Sequence, residues 1–147
     1  MKIRILPFVA GMIMAISPVF AQSSNDYIEM TREVIKAEKK AAVAEAMQLT
    51  DAESQPFWDL YNEYQGKQYP VHNKRIAIIK DLAENYENLS DEKADELWTN
   101  YMKFQQELLK VKISYYKKFK KIISPGDAAR YFQIEKKIDA LIKANKD

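Results

Sequence analysis

Apolar residues recur every three or four positions along most of this chain, the spacing that places side chains on one face of an α-helix. The pattern predicts an all-α protein, because no stretch of useful length alternates apolar and polar residues as a strand does. Four helices are expected, with bounds of about 26–48, 51–88, 91–122 and 125–145.

The third predicted helix differs from the others because it carries two apolar stripes. The first stripe includes Leu97, Phe104 and Phe119. The second stripe runs beside it and consists of Trp98, Met102, Leu109, Ile113 and Tyr116. A helix with two apolar faces needs more than one neighbour, since each face is stabilised by leaving water. We therefore expect the protein to form a homodimer.

A short phrase with the same features occurs three times, as LTDAESQPFW, LSDEKADELW and ISPGDAARYF. Each phrase begins with an apolar residue and a hydroxyl residue, and Thr50, Ser90 and Ser124 are good helix N-caps. Glu53 follows Thr50 by three residues, which is the spacing of a capping box, and Asp127 follows Ser124 at the same spacing. Helix capping explains most of the repetition, and a true internal repeat is the alternative.

The second and third predicted helices are long, and only the short segment 88–90 links them. A short link makes consecutive helices run antiparallel, so we expect a long helical hairpin. Pro70 lies inside the second helix, where it removes one backbone hydrogen bond and crowds the preceding turn. The sequence therefore predicts a kink near Pro70.

The first 21 residues have the pattern of a signal peptide. Lys2 and Arg4 supply the positive start, an apolar run follows, and Val19 and Ala21 suit cleavage after Ala21. We expect export to the periplasm, with residues 22–147 forming a single helical domain. The apolar run is short and interrupted for a membrane span, and an uncleaved anchor is the alternative.

Charge is balanced overall but unevenly placed. The precursor has 23 basic and 21 acidic residues, and cleavage would remove Lys2 and Arg4, which leaves the mature chain neutral. Six acids and one Lys lie within 84–96, whereas six Lys and no acid lie within 110–121. Helix dipoles account for part of this distribution, because they favour acids at helix starts and cations at helix ends.

The basic run is the best candidate for a partner-binding surface. Positive charge attracts acidic partners at long range, and aromatic rings then give apolar contact. The predicted contact residues are Lys112, Tyr115, Tyr116, Lys117, Phe119 and Lys120. Tyr115 and Phe119 lie at the spacing of the first stripe, so burial in the core is the alternative for these two rings. Nucleic acid would fit such a surface, but export argues against that partner.

The residue pattern predicts no catalytic, metal or cofactor site. His72 is the only His and the chain has no Cys, so the pairs that build zinc, copper or di-iron sites are missing from the sequence. Acid pairs one helical turn apart, such as Asp91 and Asp95, are typical of a solvated helix face. We therefore expect a protein that is not an enzyme.

The Leu-Thr pair at 49–50, together with the signal-peptide pattern and the small helical chain, resembles the periplasmic LTxxQ-like proteins of the Spy/CpxP group. The match is loose, because the chain has the Leu-Thr of the motif and not its Gln. The resemblance implies a curved dimer of long helical hairpins, with chaperone activity or a role in the envelope-stress response.

These observations lead to one expected function and one alternative. The expected function is that of an exported, non-enzymatic helical protein that binds unfolded or envelope-stress client proteins. The alternative is an accessory or sensory protein that docks on a membrane-protein partner or on an anionic membrane surface.

Overall fold

The computed structural model describes the backbone of residues 17–144 and the side chains at 26–27 and 29–144. The all-α prediction is confirmed for this part of the chain. The helices are α1 (Ser17–Met47), α2 (Asp51–Asn85), α3 (Asp91–Phe119) and α4 (Pro125–Ala144), with a 3-10 turn at Tyr86–Asn88. Residues 1–16 of the predicted signal peptide lie outside the described residues, and α1 runs through the predicted cleavage position at Ala21.

The chain divides into two compact units, with the boundary inside α1 between Ala42 and Val43. In the first unit the helix is solvated, and Tyr27, Met30 and Val34 are all exposed. Ion pairs between residues three apart, such as Arg32–Glu29 at 3.2 Å, lie on its surface. Exposed pairs of this kind contribute only a few tenths of a kcal/mol each, about 0.2–0.5.

The second unit begins with the last turn of α1, where Val43 and Met47 are buried. The helix stops because Gln48 adopts a left-handed backbone conformation with φ of 48°. A residue in this conformation ends many helices, although glycine is the usual choice. The chain then turns through Leu49, which packs against the core, and enters α2.

All three predicted caps are confirmed by hydrogen bonds. The Thr50 hydroxyl accepts from the Glu53 backbone N–H at 3.2 Å, and the Glu53 carboxylate accepts from the Thr50 N–H at 3.1 Å, which completes the capping box. The Ser90 hydroxyl accepts from the Lys93 N–H at 3.1 Å. The Ser124 hydroxyl accepts from the Asp127 N–H, also at 3.1 Å.

We expect Thr50→Ala to lower the free energy of unfolding by about 1 kcal/mol, because the Glu53 backbone N–H loses the hydroxyl oxygen that accepts its hydrogen bond. Urea unfolding followed by circular dichroism measures this change. Thr99→Ala is the matched control, since Thr99 is an exposed residue inside α3 with no capping position. Equal stability of the two variants would show that the repeated phrase has a role other than capping.

Two helices end earlier than the sequence predicts. The α2 helix ends at Asn85, whose side-chain amide donates to the Asp81 carbonyl at 2.8 Å, and a 3-10 turn covers the last three predicted residues. The α3 helix ends at Phe119, because the N–H groups of Lys121 and Ile122 bond to carbonyls three residues back instead of four. Tightening of this kind is common in the last turn of a helix.

Contacts between α2 and α3 pair residues in opposite chain order. Glu63, early in α2, bonds to Tyr115 and Lys118, late in α3. Lys74 pairs with Glu107 across the middle of the two helices. Pro56 and Pro70 both lie inside α2, which is helical from Asp51 to Asn85.

The core of the second unit is concentrated at one end of the α2–α3 pair, where α4 and the last turn of α1 also contribute. Rings from α2, α3 and α4 form this aromatic core, and they contact one another edge to face, tilted or, for Phe57 and Tyr61, stacked, with centroids 4.8–6.4 Å apart. Its members are Phe57, Tyr61, Tyr64, Tyr115, Phe119 and Tyr131. Further along the pair, Val71, Leu97 and Phe104 are buried.

Candidate partner-binding surface

The six predicted contact residues do not form one exposed surface. Tyr115 is 4% exposed and Phe119 is completely buried, so both rings belong to the aromatic core. The interpretation that these two rings face a partner does not fit their positions. Both lie on the α3 face that packs against α2, at the 3-4 spacing that continues from Leu97 and Phe104.

The remaining four residues stay accessible, and we call them the lysine surface: Lys112, Tyr116, Lys117 and Lys120. The three ammonium groups belong to exposed residues, while Tyr116 is half-buried and packs against Phe132 of α4, with ring centroids 5.9 Å apart. Lys120 lies over the Tyr116 ring at 5.0 Å from its centroid. A cation over an aromatic face at an exposed site contributes about 0.5–1 kcal/mol, which favours this position of the Lys120 side chain.

Lys118, which sits in the same basic run, points to a different neighbour. Its ammonium group lies 3.4 Å from the Glu63 carboxylate of α2 and over the Tyr115 ring at 4.6 Å. The Tyr115 hydroxyl donates to the same carboxylate at 3.0 Å. The hydrogen bond from Tyr115, followed by that from Lys118, lowers the pKa of Glu63. Lys118 therefore helps to join α2 to α3.

Three of the five residues in the second stripe of α3 are exposed. Trp98 is 63% exposed, Leu109 57% and Ile113 49%. Met102 and Tyr116 are half-buried. A shallow depression of about 330 Å³ lies between Met102 and Lys112 on this face. Large exposed apolar side chains that share one face of a helix are typical of interaction sites.

An apolar groove of about 380 Å³ lies near the link between α2 and α3, and we call it the turn-end groove. Its apolar lining includes Ile78, Ile79, Leu82, Leu89, Leu97 and Trp98. Arg75 is the one charged residue in the lining. The exposed acids of segment 84–96 lie at the same end of the helix pair. The groove therefore has apolar walls, and exposed acidic residues lie near it.

Sequence reasoning missed the most polar feature of the aromatic core, which is the carboxylate of Glu135 in α4. Glu135 is 4% exposed and lies beside Tyr131, whose hydroxyl is hydrogen-bonded to it. The Gln65 amide donates to the Tyr131 hydroxyl at 3.3 Å and reaches Glu135 at 3.5 Å. The sequence gives one indication that Glu135 is buried, which is its position. Glu135 follows Tyr131 by four residues and so lies on the apolar stripe of α4.

Burial has the largest effect on the pKa values of these tyrosines. Burial, with a smaller effect of the nearby carboxylates of Glu135 and Asp139, raises the pKa of Tyr61 to about 12. The same causes raise the pKa of Tyr64, and burial followed by Glu135 raises that of Tyr131. Neutral hydroxyls next to a buried carboxylate form a polar network within the aromatic core.

A metal-binding cluster is not assembled in the part of the chain that the structure describes. No group of three or more His, Asp or Glu side chains there could hold a metal ion. His72 is half-buried, with its ring 6.4 Å from that of Phe104. Across residues 17–144, none of the helices has the combination of length and apolarity needed to cross a bilayer.

Comparisons with known proteins give no relative for this chain. No family model matches it, and neither a curated protein nor a solved structure is significantly similar to it.

Proposed function

We propose that this protein is an exported, non-enzymatic helical protein of the periplasm that binds unfolded or envelope-stress client proteins, in the manner of the Spy/CpxP group that the Leu-Thr motif resembles. In this proposal the signal peptide is cleaved after Ala21. The α2 and α3 helices form a long hairpin that bends near Pro70, and two copies associate as a dimer. The opposed order of the α2–α3 contacts supports the hairpin, and the proline inside α2 supports the bend.

The observation that carries the proposal is the turn-end groove. Ile79 is 49% exposed, Leu82 40% and Trp98 63%, so the groove presents apolar side chains to water on two long helices. Unfolded proteins expose apolar segments, and contact with such a groove removes both apolar surfaces from water. The acids at this end favour segments that also carry Lys or Arg, because opposite charges speed the encounter. The groove therefore suits sequence-tolerant binding of unfolded chains.

The lysine surface is the second partner contact in this proposal. Lys112, Lys117 and Lys120 are exposed and attract acidic groups at a distance, and Tyr116 supplies apolar area beside them. The same lysines would also attract an anionic membrane surface. This positive charge is the observation that favours the alternative of an accessory or sensory protein.

We expect the purified mature protein to suppress the aggregation of several unrelated denatured proteins, measured by light scattering. The double variant Ile79→Ser/Leu82→Ser should lose most of this activity, because it removes apolar area from the groove. Both side chains are partly exposed, so the helix content and melting temperature should change little.

The matched control is Leu141→Ser, which removes a 64% exposed apolar side chain of α4 that does not line the groove. Its activity should equal that of the unmodified protein. If no denatured protein is protected, and one membrane protein or anionic vesicles are bound instead, the accessory or sensory function replaces the chaperone-like one.

A further inference from the structure

Arg75, in the wall of the turn-end groove, carries a charge that its neighbours do not balance. Arg75 is half-buried, yet no described residue gives it a hydrogen bond, an ion pair or a ring contact. The other two arginines with described side chains, Arg32 and Arg130, each pair with an acid three residues earlier. A guanidinium that is partly removed from water is stabilised by a carboxylate, which it can bind with two parallel hydrogen bonds.

Arg75 lies at the end of the groove that is distant from the link between α2 and α3. It precedes Leu82, another lining residue, by seven residues, and Leu89 lines the groove at the link itself. On α3, Tyr101 is the lining residue farthest from the link. The positive charge therefore lies at one end of the apolar groove and not in its middle.

An exposed acid, Asp91, lies at the opposite end of the groove. Asp91 precedes two lining residues of α3, Ala94 and Trp98, by three and seven residues, so it lies on nearly the same face of the helix. It also follows the lining residue Leu89 by two positions. The groove therefore has a positive charge at one end, a negative charge at the other and apolar walls between them.

A contact between the two helices gives the distance between these charges. Lys93 bonds to Asp81 at 3.0 Å, so Asp91, two residues before Lys93, lies about opposite residue 83 of α2. Residue 83 follows Arg75 by eight positions, which is about 12 Å along the helix at 1.5 Å per residue. An extended chain covers this distance in about four residues, at roughly 3.3 Å per residue.

We infer that the turn-end groove selects client segments in which about three apolar residues separate an acidic residue from a basic residue. The acidic side chain binds the Arg75 guanidinium, the apolar residues contact the groove walls, and the basic side chain lies beside Asp91. This inference rests on the client binding proposed for the groove, and it adds which segments of an unfolded chain the groove prefers.

The carboxylate that binds Arg75 belongs to an acidic side chain of the client. An unfolded chain carries many Asp and Glu residues and only one C-terminal carboxylate, so side chains supply nearly all of the suitable segments. A fatty-acid anion would match Arg75 and the apolar walls, but it would leave Asp91 without a cation. A polypeptide segment that carries both charges uses the whole groove.

The test is the binding of short labelled peptides with blocked termini to the full-length mature protein, measured by fluorescence anisotropy. The parent peptide is the tighter binder of Lys-Leu-Phe-Leu-Glu and Glu-Leu-Phe-Leu-Lys, each within Gly-Ser flanks, and a second peptide has Gln in place of Glu. Arg75→Gln should raise the Kd of the parent peptide by about tenfold and change that of the second peptide by less than about twofold. Lys80→Gln is the matched control, because Lys80 is an exposed residue of α2 that does not line the groove.

The negative end of the groove is tested with a third peptide, which has Gln in place of Lys. Asp91→Asn should raise the Kd of the parent peptide by about threefold and leave that of the third peptide unchanged, since an exposed ion pair contributes little. Glu92→Gln is the control, because it removes the same charge from the next position of α3, which lies on another face of the helix.

Three results would overturn the inference. The first is an Arg75→Gln variant that still binds the parent peptide as tightly as the unmodified protein does, which would show that Arg75 only covers apolar surface with its methylene groups. The second is tighter Arg75-dependent binding of decanoate, or of a peptide with a free C-terminal carboxylate, than of the parent peptide. The third is the absence of peptide binding. Circular dichroism of each variant verifies that the helices are intact.

These outcomes separate the inference from the proposed function. If denatured proteins are protected but the peptide affinity depends on neither Glu nor Arg75, the chaperone-like function stands and the inference fails. If the peptides show both charge dependences and no denatured protein is protected, the selectivity of the groove stands and the chaperone-like function fails.

Discussion

Phe57→Ala is expected to lower the free energy of unfolding by about 3–5 kcal/mol. Phe57 is completely buried, and its ring centroid lies 5.4 Å from those of both Phe119 and Tyr131. Truncation removes apolar area from α2 at the point where α3 and α4 also meet, and it leaves a cavity that the neighbouring rings can fill only in part. A loss of this size is a large fraction of the stability of a small domain.

Urea unfolding followed by circular dichroism measures the change, with Tyr86→Ala as the control. Tyr86 is 75% exposed and its truncation should alter the stability by about 0.5 kcal/mol or less. A Phe57→Ala variant as stable as the control would place the centre of the core somewhere other than the aromatic core.

Alkaline pH is expected to unfold the second unit. A tyrosine ionises near pH 10 in an unfolded chain, whereas burial raises the pKa of Tyr61 to about 12. Because the folded pKa lies above the unfolded one, the stability contributed by the neutral form is complete below about pH 10. It is lost as the pH rises from about 10 through 12. Tyr64 and Tyr131 add to the effect in the same direction, since burial also raises the pKa of each.

Helix content by circular dichroism and tyrosinate absorbance, followed together from pH 8 upward, test this expectation. Helix should be lost in the same pH range in which the buried hydroxyls ionise. Tyr61→Phe removes one of these groups and should move the loss of helix to higher pH. Ionisation of all nine tyrosines with the helices intact would contradict the expectation.

Local features of the fold could be predicted from the sequence because neighbouring residues determine them. The caps at Thr50, Ser90 and Ser124 each depend on a hydroxyl and a backbone N–H three residues later, so the spacing alone identifies them. The ends of the helices were predicted less accurately than their caps. The α2 helix stops at Asn85 because its side chain competes with the backbone, a choice that the periodicity does not reveal.

The candidate surfaces were only partly predictable, because burial depends on which helices meet. Lys112, Lys117 and Lys120 were recognisable as a charged run, but the assignment of Tyr115 and Phe119 needed the position of α2 and α4. The turn-end groove combines residues of two consecutive helices, so it depends on how these helices pack and not on the pattern of either one. The dimer, the hairpin bend, export and client binding stay predictions.

The five largest fully buried side chains of the described residues, which include Phe57, Tyr64 and Tyr131, lie at the end of the helix pair that carries α4. The other end, near residues 76–98, exposes its apolar side chains and buries few of them. Substitutions of these exposed residues therefore change what the surface can bind and have little effect on the stability of the fold. Substitutions in the aromatic core lower the stability and leave the binding surface unchanged. A library randomised at Ile79, Leu82 and Trp98 could therefore be screened for new binding specificities without first being stabilised.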